Sequence, residues 1–225
     1  MKLNYVALPI AALIWGSSFA ADSSLNTDKK KSSYAIGVQI GQDFKRGGLD
    51  LDIDVLAAGI KDMIEGKASK LNPQEMQAAL NMLRQQQMKK QAELASKAKA
   101  AGEAYLAANK NKPGVVTLPS GVQYKVVKSG SGKTPTKNDS VVVHYRGTLI
   151  DGTEFDSSIA RGKPLTFPVT GVIKGWTEVL LLMKEGDKWQ VTIPSDSAYG
   201  PRGSGQAIGP NATLNFDIEL LEVKN

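Results

Sequence analysis

In the last third of this 225-residue chain, aromatic residues and turns recur in series: Val141-Val142-Val143-His144-Tyr145-Arg146-Gly147, Glu154-Phe155-Asp156-Ser157-Ser158, Val172-Ile173-Lys174-Gly175-Trp176, Ala198-Tyr199-Gly200 and Ala212-Thr213-Leu214-Asn215-Phe216. These residues supply rings, a carboxylate and a phenol, with almost no nucleophile, base or metal ligand. That set suits a small apolar pocket that binds, rather than an acid–base centre. Cysteine is absent and His144 is the single histidine, so thiolate chemistry, disulfides and multi-histidine or cysteine-ligated metal sites are excluded.

Two other motifs suggest different chemistry and fail on spacing. Ser129-Gly130-Ser131-Gly132-Lys133-Thr134 resembles the end of a phosphate-binding loop, but the required earlier glycine is Val127, and Pro135 follows where a helix should open. The stretch reads instead as a solvated hairpin loop. His144 with Asp156 and a serine suggests a hydrolase triad, yet no Gly-x-Ser-x-Gly elbow exists. A packing or surface role for His144 follows.

Tyr145, Phe155, Phe167, Trp176, Tyr199 and Phe216 could serve only as core. Their flanks argue otherwise: Asp156 adjoins a phenyl ring after the Asp151-Gly152 turn, Tyr199 lies in a glycine-rich loop, and Trp176 stands at a helix start. Loops and element ends are where ligand-facing side chains concentrate.

The elements that must position these residues change period along the chain. Ile36, Ile40 and Phe44 share a helical face that Gly47-Gly48 closes, and Val55, Leu56, Ile60, Met63 and Ile64 define a second helix from Ile53 to Glu65, stopped at Gly66. Two such helices shield too little surface to stand alone, which predicts self-association. Asn72-Pro73-Gln74-Glu75 then opens a long helix to about Asn111, with a capping box and no proline before Pro113. At 1.5 Å per residue it reaches nearly ~60 Å. Its first half carries an apolar seam at Met76, Ala79, Leu80 and Leu83; the second, reduced to Leu94 and alanines, reads as an exposed spacer that Gly102 weakens.

From Lys112-Pro113-Gly114 onward the period is two. Val122, Tyr124 and Val126 alternate with polar residues, as do Leu214, Phe216, Ile218 and Leu220. Further strands are predicted over 140–150, 165–169 and 188–193, with one short helix from about Trp176 to Met183 against the inner sheet face. The fold class is α+β with an antiparallel sheet.

Lys2, an apolar core from Tyr5 to Trp15 and Ser18-Phe19-Ala20 form a secretory signal over residues 1–20, too short to span a bilayer, which needs about 20 apolar residues. Cysteine being absent, no lipid anchor of that kind is available. The formal charge of +6 falls to +5 once Lys2 is removed, and the scattered lysines form no arginine-rich aromatic groove of the kind nucleic acids require.

The ordered blocks, above all Leu118-Pro119-Ser120-Gly121-Val122-Gln123-Tyr124, Ala198-Tyr199-Gly200-Pro201-Arg202 and Ile208-Gly209-Pro210-Asn211, resemble the FKBP-type peptidyl-prolyl isomerases over about residues 115–223. The helical part before them resembles the macrophage infectivity potentiator (Mip-like) branch of exported bacterial members. The resemblance implies a signal peptide at 1–20, a helical dimerisation domain at 22–71, a connecting helix at 72–112 and an isomerase domain at 113–225, its sheet wrapped around a short helix. It implies a pocket with Trp176 as floor, and Tyr145, Phe155, Val172, Ile173, Phe167, Phe216, Ile208 and Leu165 as walls and rim. Asp156 would sit at the lip with Tyr145 and Arg161, while Tyr199 and the Ile173 N–H would hold substrate carbonyls. Asp156, Tyr199, Tyr145 and Phe155 are the expected catalytic set, with no cofactor or metal.

Expected partners are proline-containing polypeptides, a second copy through the N-terminal helices, and macrolides such as tacrolimus and rapamycin, but not nucleic acid. Leu165, Ser204 and Ala207 depart from eukaryotic members, so the rim differs from theirs. The expected location is the periplasm, outer membrane or surface of a Gram-negative bacterium. A second reading of the same features is a dimeric periplasmic holding chaperone with incidental isomerase activity.

Overall fold

The computed structural model describes residues 24–224, and the secretory signal over 1–20 lies outside them. The chain divides between Asp52 and Ile53 into two compact units. The first holds helix α1, Asp28–Gly47, whose Thr27 side chain accepts from Lys30 N and whose end is closed by Gly48 at a φ of 60°. Only glycine takes that left-handed turn without cost. No residue of α1 is buried, and Tyr34, Ile36, Val38 and Ile40 are exposed. No helix among the described residues is long and apolar enough to cross a membrane.

The second unit begins with α2, Ile53–Ile64, and α3, Pro73–Asn109. The Asn72–Glu75 capping box opens α3 as expected, with both reciprocal bonds at 2.9 Å. Val55, Leu56, Ile60, Met63, Leu71 and Met76 line an apolar hollow shared by α2 and the start of α3.

A seven-stranded antiparallel sheet follows: β1 (Val115–Thr117), β2 (Gln123–Lys128), β3 (Ser140–Leu149), β4 (Glu154–Ser157), β5 (Leu165–Pro168), β6 (Lys188–Ile193) and β7 (Leu214–Lys224). The order is β1-β2-β6-β7-β3-β4, with β5 also on β3. Helix α4, Lys174–Leu180, lies between β5 and β6 in the chain. Its buried Trp176, Val179 and Leu180 share the core with Val141, Val143, Val191, Ile193 and the inward-facing Leu214, Phe216, Ile218 and Leu220 of β7.

Two local expectations fail. The 129–134 loop is no hairpin, since β2 and β3 are not neighbours. Gly130 N donates to Asp187 Oδ1 at 2.6 Å, Gly132 N to Glu185 O at 3.1 Å, and Glu185 N to Lys133 O at 2.9 Å. A side chain on either glycine would collide with Glu185. The Gly-x-Gly spacing therefore serves close packing against the 185–187 turn.

Nor is the second half of α3 an exposed spacer. Ala95, Ala98, Gly102, Tyr105 and Asn109 form a stripe that docks on the sheet domain, with Gly102 fully packed against Thr213. Asn211 Nδ2 donates to Ala95 O at 3.3 Å, Gln123 Nε2 to Leu106 O at 2.9 Å, and Asn109 Nδ2 to Gln123 Oε1 at 2.9 Å. The small residues permit the close approach, so Gly102 is a contact surface.

Residues 154–157, outside the predicted strands, form strand β4 paired with β3, which aligns Asp156 opposite Gly147.

Candidate active site

Trp176 enters the core on the first turn of α4, and three rings stand edge-on to it. Tyr145 lies 5.2 Å away at 87°, Phe216 5.3 Å at 87° and Phe167 6.1 Å at 80°. Phe155 packs edge-on against Phe216 at 5.6 Å. Each such pair contributes about 0.5–1.5 kcal/mol beyond its buried area, and together they hold the rings in fixed orientations. The indole is 4% exposed and its Nε1–H meets no acceptor among the described residues, so it offers area rather than a tethered donor.

Gly147 makes this packing possible. It sits within β3, where a side chain would run into the Phe155 ring at 2.6 Å and the Phe216 ring at 2.9 Å. Its role escaped the sequence reading, although a glycine inside a strand signals close approach.

Polar groups gather on one side of the rings. The Tyr145 hydroxyl donates to Asp156 Oδ2 and accepts from Arg161 Nη2 at 3.0 Å, while Arg161 Nη1 donates to Asp156 Oδ1. Burial pushes the Asp156 carboxyl up, but the bonds from Arg161 and Tyr145 outweigh it and hold the group below the usual carboxylate value. Burial raises the Tyr145 phenol, reinforced by Asp156. Tyr199, 39% exposed and without a hydroxyl partner among the described residues, is also raised by burial and then by the Asp156 charge.

Phe155, Leu165, Phe167, Val172 and Ile173 are partly buried against the hydrophobic core to which Trp176, Tyr145 and Phe216 belong, and Ile208 is buried within it. Ile173 precedes α4, and among the described residues nothing accepts from its N–H. The structure thus brings Trp176, Tyr145, Phe155, Phe167, Phe216, Asp156 and Arg161 into one contact network, while Tyr199 is the most open of the expected rings and, among the described residues, contacts none of theirs.

Ser158 is a further residue that sequence reasoning passed over. It is fully buried; its Oγ accepts from Tyr145 N at 2.7 Å, its N donates to Tyr145 O at 3.0 Å, and His144 Nδ1 lies 3.1 Å from Oγ. These bonds tie Tyr145 to the end of β4. They also dispose of a hydrolase triad: the serine is sealed from substrate, and Asp156 is bound by Tyr145 and Arg161 rather than by His144.

The family model described as FKBP-type peptidyl-prolyl cis-trans isomerase matches residues 131–221, and that for the domain amino terminal to it matches 29–126. The chain belongs to the FKBP-type peptidyl-prolyl cis-trans isomerases. It is 49% identical to the outer membrane protein MIP of Legionella longbeachae, over 100% of this chain and 99% of that one. It is 42% identical to the peptidyl-prolyl cis-trans isomerase Mip of Coxiella burnetii, with the same coverage of both. The crystal structure of FkpA from Escherichia coli superposes with a TM-score of 0.67 at 41% identity, covering 88% of this chain and 97% of that one. This FKBP-type enzyme of the Mip-like branch is a peptidyl-prolyl isomerase, and an aromatic cluster without a nucleophile suits a reaction that breaks no covalent bond.

Proposed function

We propose that isomerisation takes place over Trp176, with the prolyl ring seated on the indole between Tyr145, Phe155, Phe167 and Phe216. The observation that carries this is the set of edge-on rings bordered by the Tyr145–Asp156–Arg161 group. An X-Pro bond turns slowly because amide resonance imposes about 18–20 kcal/mol. Resonance and charge separation both fade as the bond twists, so a dry apolar surface that accepts the twisted form better than either planar isomer lowers the barrier by differential binding. About 4 kcal/mol suffices for a thousandfold acceleration.

In this reading Tyr199 and the Ile173 N–H hold the flanking carbonyls, Val172, Ile208 and Leu165 close the sides, and Asp156 orients the substrate without exchanging a proton. The same pocket is where a macrolide such as tacrolimus or rapamycin would compete. The test is a coupled assay on a short Leu-Pro peptide, with the Asp156→Leu, Tyr199→Phe double variant as comparison. A loss of kcat/KM on the order of 10–100-fold is expected, and unchanged activity would remove the assignment.

The clients we propose are proline-containing exported or envelope proteins, in the periplasm or at the outer surface, as the name of the Legionella relative suggests. We further propose a homodimer through residues 22–71. The exposed apolar residues of α1, and separately the hollow lined by Val55, Ile60 and Met63, support it, since a monomer gains nothing by presenting them to water.

A further inference from the structure

The charges on the loops around the pocket are unequal, and the inequality bears on which proline segments the enzyme prefers. Of the acidic residues on β4, Asp156 is neutralised by Arg161, and Glu154 accepts from Arg146 Nε at 2.7 Å. On the segments that flank Leu165, Ile173 and Tyr199, three exposed cations have no ion pair among the described residues: Lys163, Lys174 and Arg202.

Each is fixed beside a pocket residue by the backbone. Lys163, whose N–H donates to Ser158 O at 3.3 Å, lies two residues from both Arg161 and Leu165. Lys174 is the first residue of α4, next to Ile173 and two before Trp176. Arg202 ends the 3₁₀ turn Gly200–Arg202 that starts immediately after Tyr199. Against them stand two acids without an ion pair among the described residues, the exposed Asp196 and, on α4, Glu178, which accepts from Ser120. A peptide lying across Trp176 therefore meets neighbouring segments that carry a surplus of positive charge.

We infer that this site favours X-Pro segments flanked by acidic residues, with Lys163, Lys174 and Arg202 determining that preference. The inference rests on the Trp176 pocket being the substrate site. Exposed charges of this kind act on encounter and orientation more than on the chemical step, so they change kcat/KM by several-fold and lose influence as salt rises.

The experiment compares three peptides with the same Leu-Pro centre and glutamate, uncharged or lysine flanks, followed by exchange spectroscopy on the full chain so that no protease preference intrudes. At about 20 mM ionic strength, kcat/KM should fall from the acidic to the uncharged to the basic peptide by about three- to tenfold overall; the values should converge near 0.5 M salt, where screening acts over about 4 Å. The Lys163→Glu, Lys174→Glu, Arg202→Glu triple variant should invert the order and keep the uncharged peptide within about twofold.

A second variant, Lys89→Glu, Lys97→Glu, Lys99→Glu on α3, changes net charge equally but at residues outside the segments that flank the pocket and should leave the order intact. Equal rates for the three peptides would overturn the inference while leaving the pocket assignment standing. So would loss of the preference in the α3 variant, which would make it a property of net charge. Failure to act on any peptide would instead remove the pocket reading itself.

Discussion

Gly102 of α3 lies so close to Thr213, just before β7, that a Cβ on the glycine would overlap the threonine hydroxyl. A residue that weakens an isolated helix is thus the one that lets this helix seat on the sheet domain. Gly102→Ala should lower the stability of that domain by about 1–3 kcal/mol through overpacking, despite the better helix propensity of alanine, worth about 1 kcal/mol. Calorimetric melting checks this, and Thr213→Ala in the same chain should recover part of the loss.

The docking also predicts how the protein can be divided. A fragment starting at residue 113 loses the bonds that Ala95, Leu106 and Asn109 make to Asn211 and Gln123, leaving the buried Gln123 side chain short of partners. One starting at residue 92 keeps them. The longer fragment should melt several degrees higher, by roughly 1–3 kcal/mol, while kcat/KM on a short peptide stays alike. Equal melting temperatures would mean that the helix contributes no stability there.

Tyr145→Phe removes the hydroxyl shared by Asp156 and Arg161 and leaves the ring against Trp176. The Arg161–Asp156 pair remains, so the fold should survive. We expect kcat/KM to fall about three- to tenfold, corresponding to about 1 kcal/mol of lost orientation. A drop as deep as that of the Asp156→Leu, Tyr199→Phe variant would assign the phenol a larger part.

The pH profile follows from the rim. Asp156 is held below its usual value, so its pair adds stability above the ordinary aspartate range and loses it as pH falls through the lowered value. Tyr145 and Tyr199 are raised, so the preference for their neutral forms is fully present below the ordinary phenol value and vanishes as pH rises through the raised one. Activity should be nearly flat from about pH 5 to 9. A steep bell near neutrality would count against a mechanism without proton exchange.

The mature protein should show twice its monomer mass by light scattering at concentrations well above micromolar. Ile60→Glu with Met63→Glu, which charges the hollow between α2 and α3, should yield monomers with isomerase activity on short peptides retained. A wild-type monomer would remove the dimer proposal.

Much of this architecture is legible because its signals are local. The capping box, the glycine stops and the alternation in β7 each act over a few residues and reappear in the fold. Short or non-local features are harder. β4 has four residues and β1 three, too few for a period to emerge. The alanine stripe of α3 looks solvent-facing until its partner at Thr213 is known, and Gly130 acquires meaning only from Asp187, far along the chain. At the site the rings were readable from their types and flanks. Gly147 and Ser158 were not, because one acts by having no side chain and the other through bonds to the Tyr145 backbone.

The place of β7 carries a consequence for how the protein comes into being. This strand runs between β6 and β3, pairs with β3 from Ser140 to Leu149, and comes last of the seven in chain order. A nascent or translocating polypeptide that lacks its final eleven-residue strand has a gap at the centre of the sheet, not a frayed margin. Phe216 is missing from the ring cluster until this strand has been made, so the proposed proline pocket is incomplete until then, and the long-range closure of the sheet is a late event in folding.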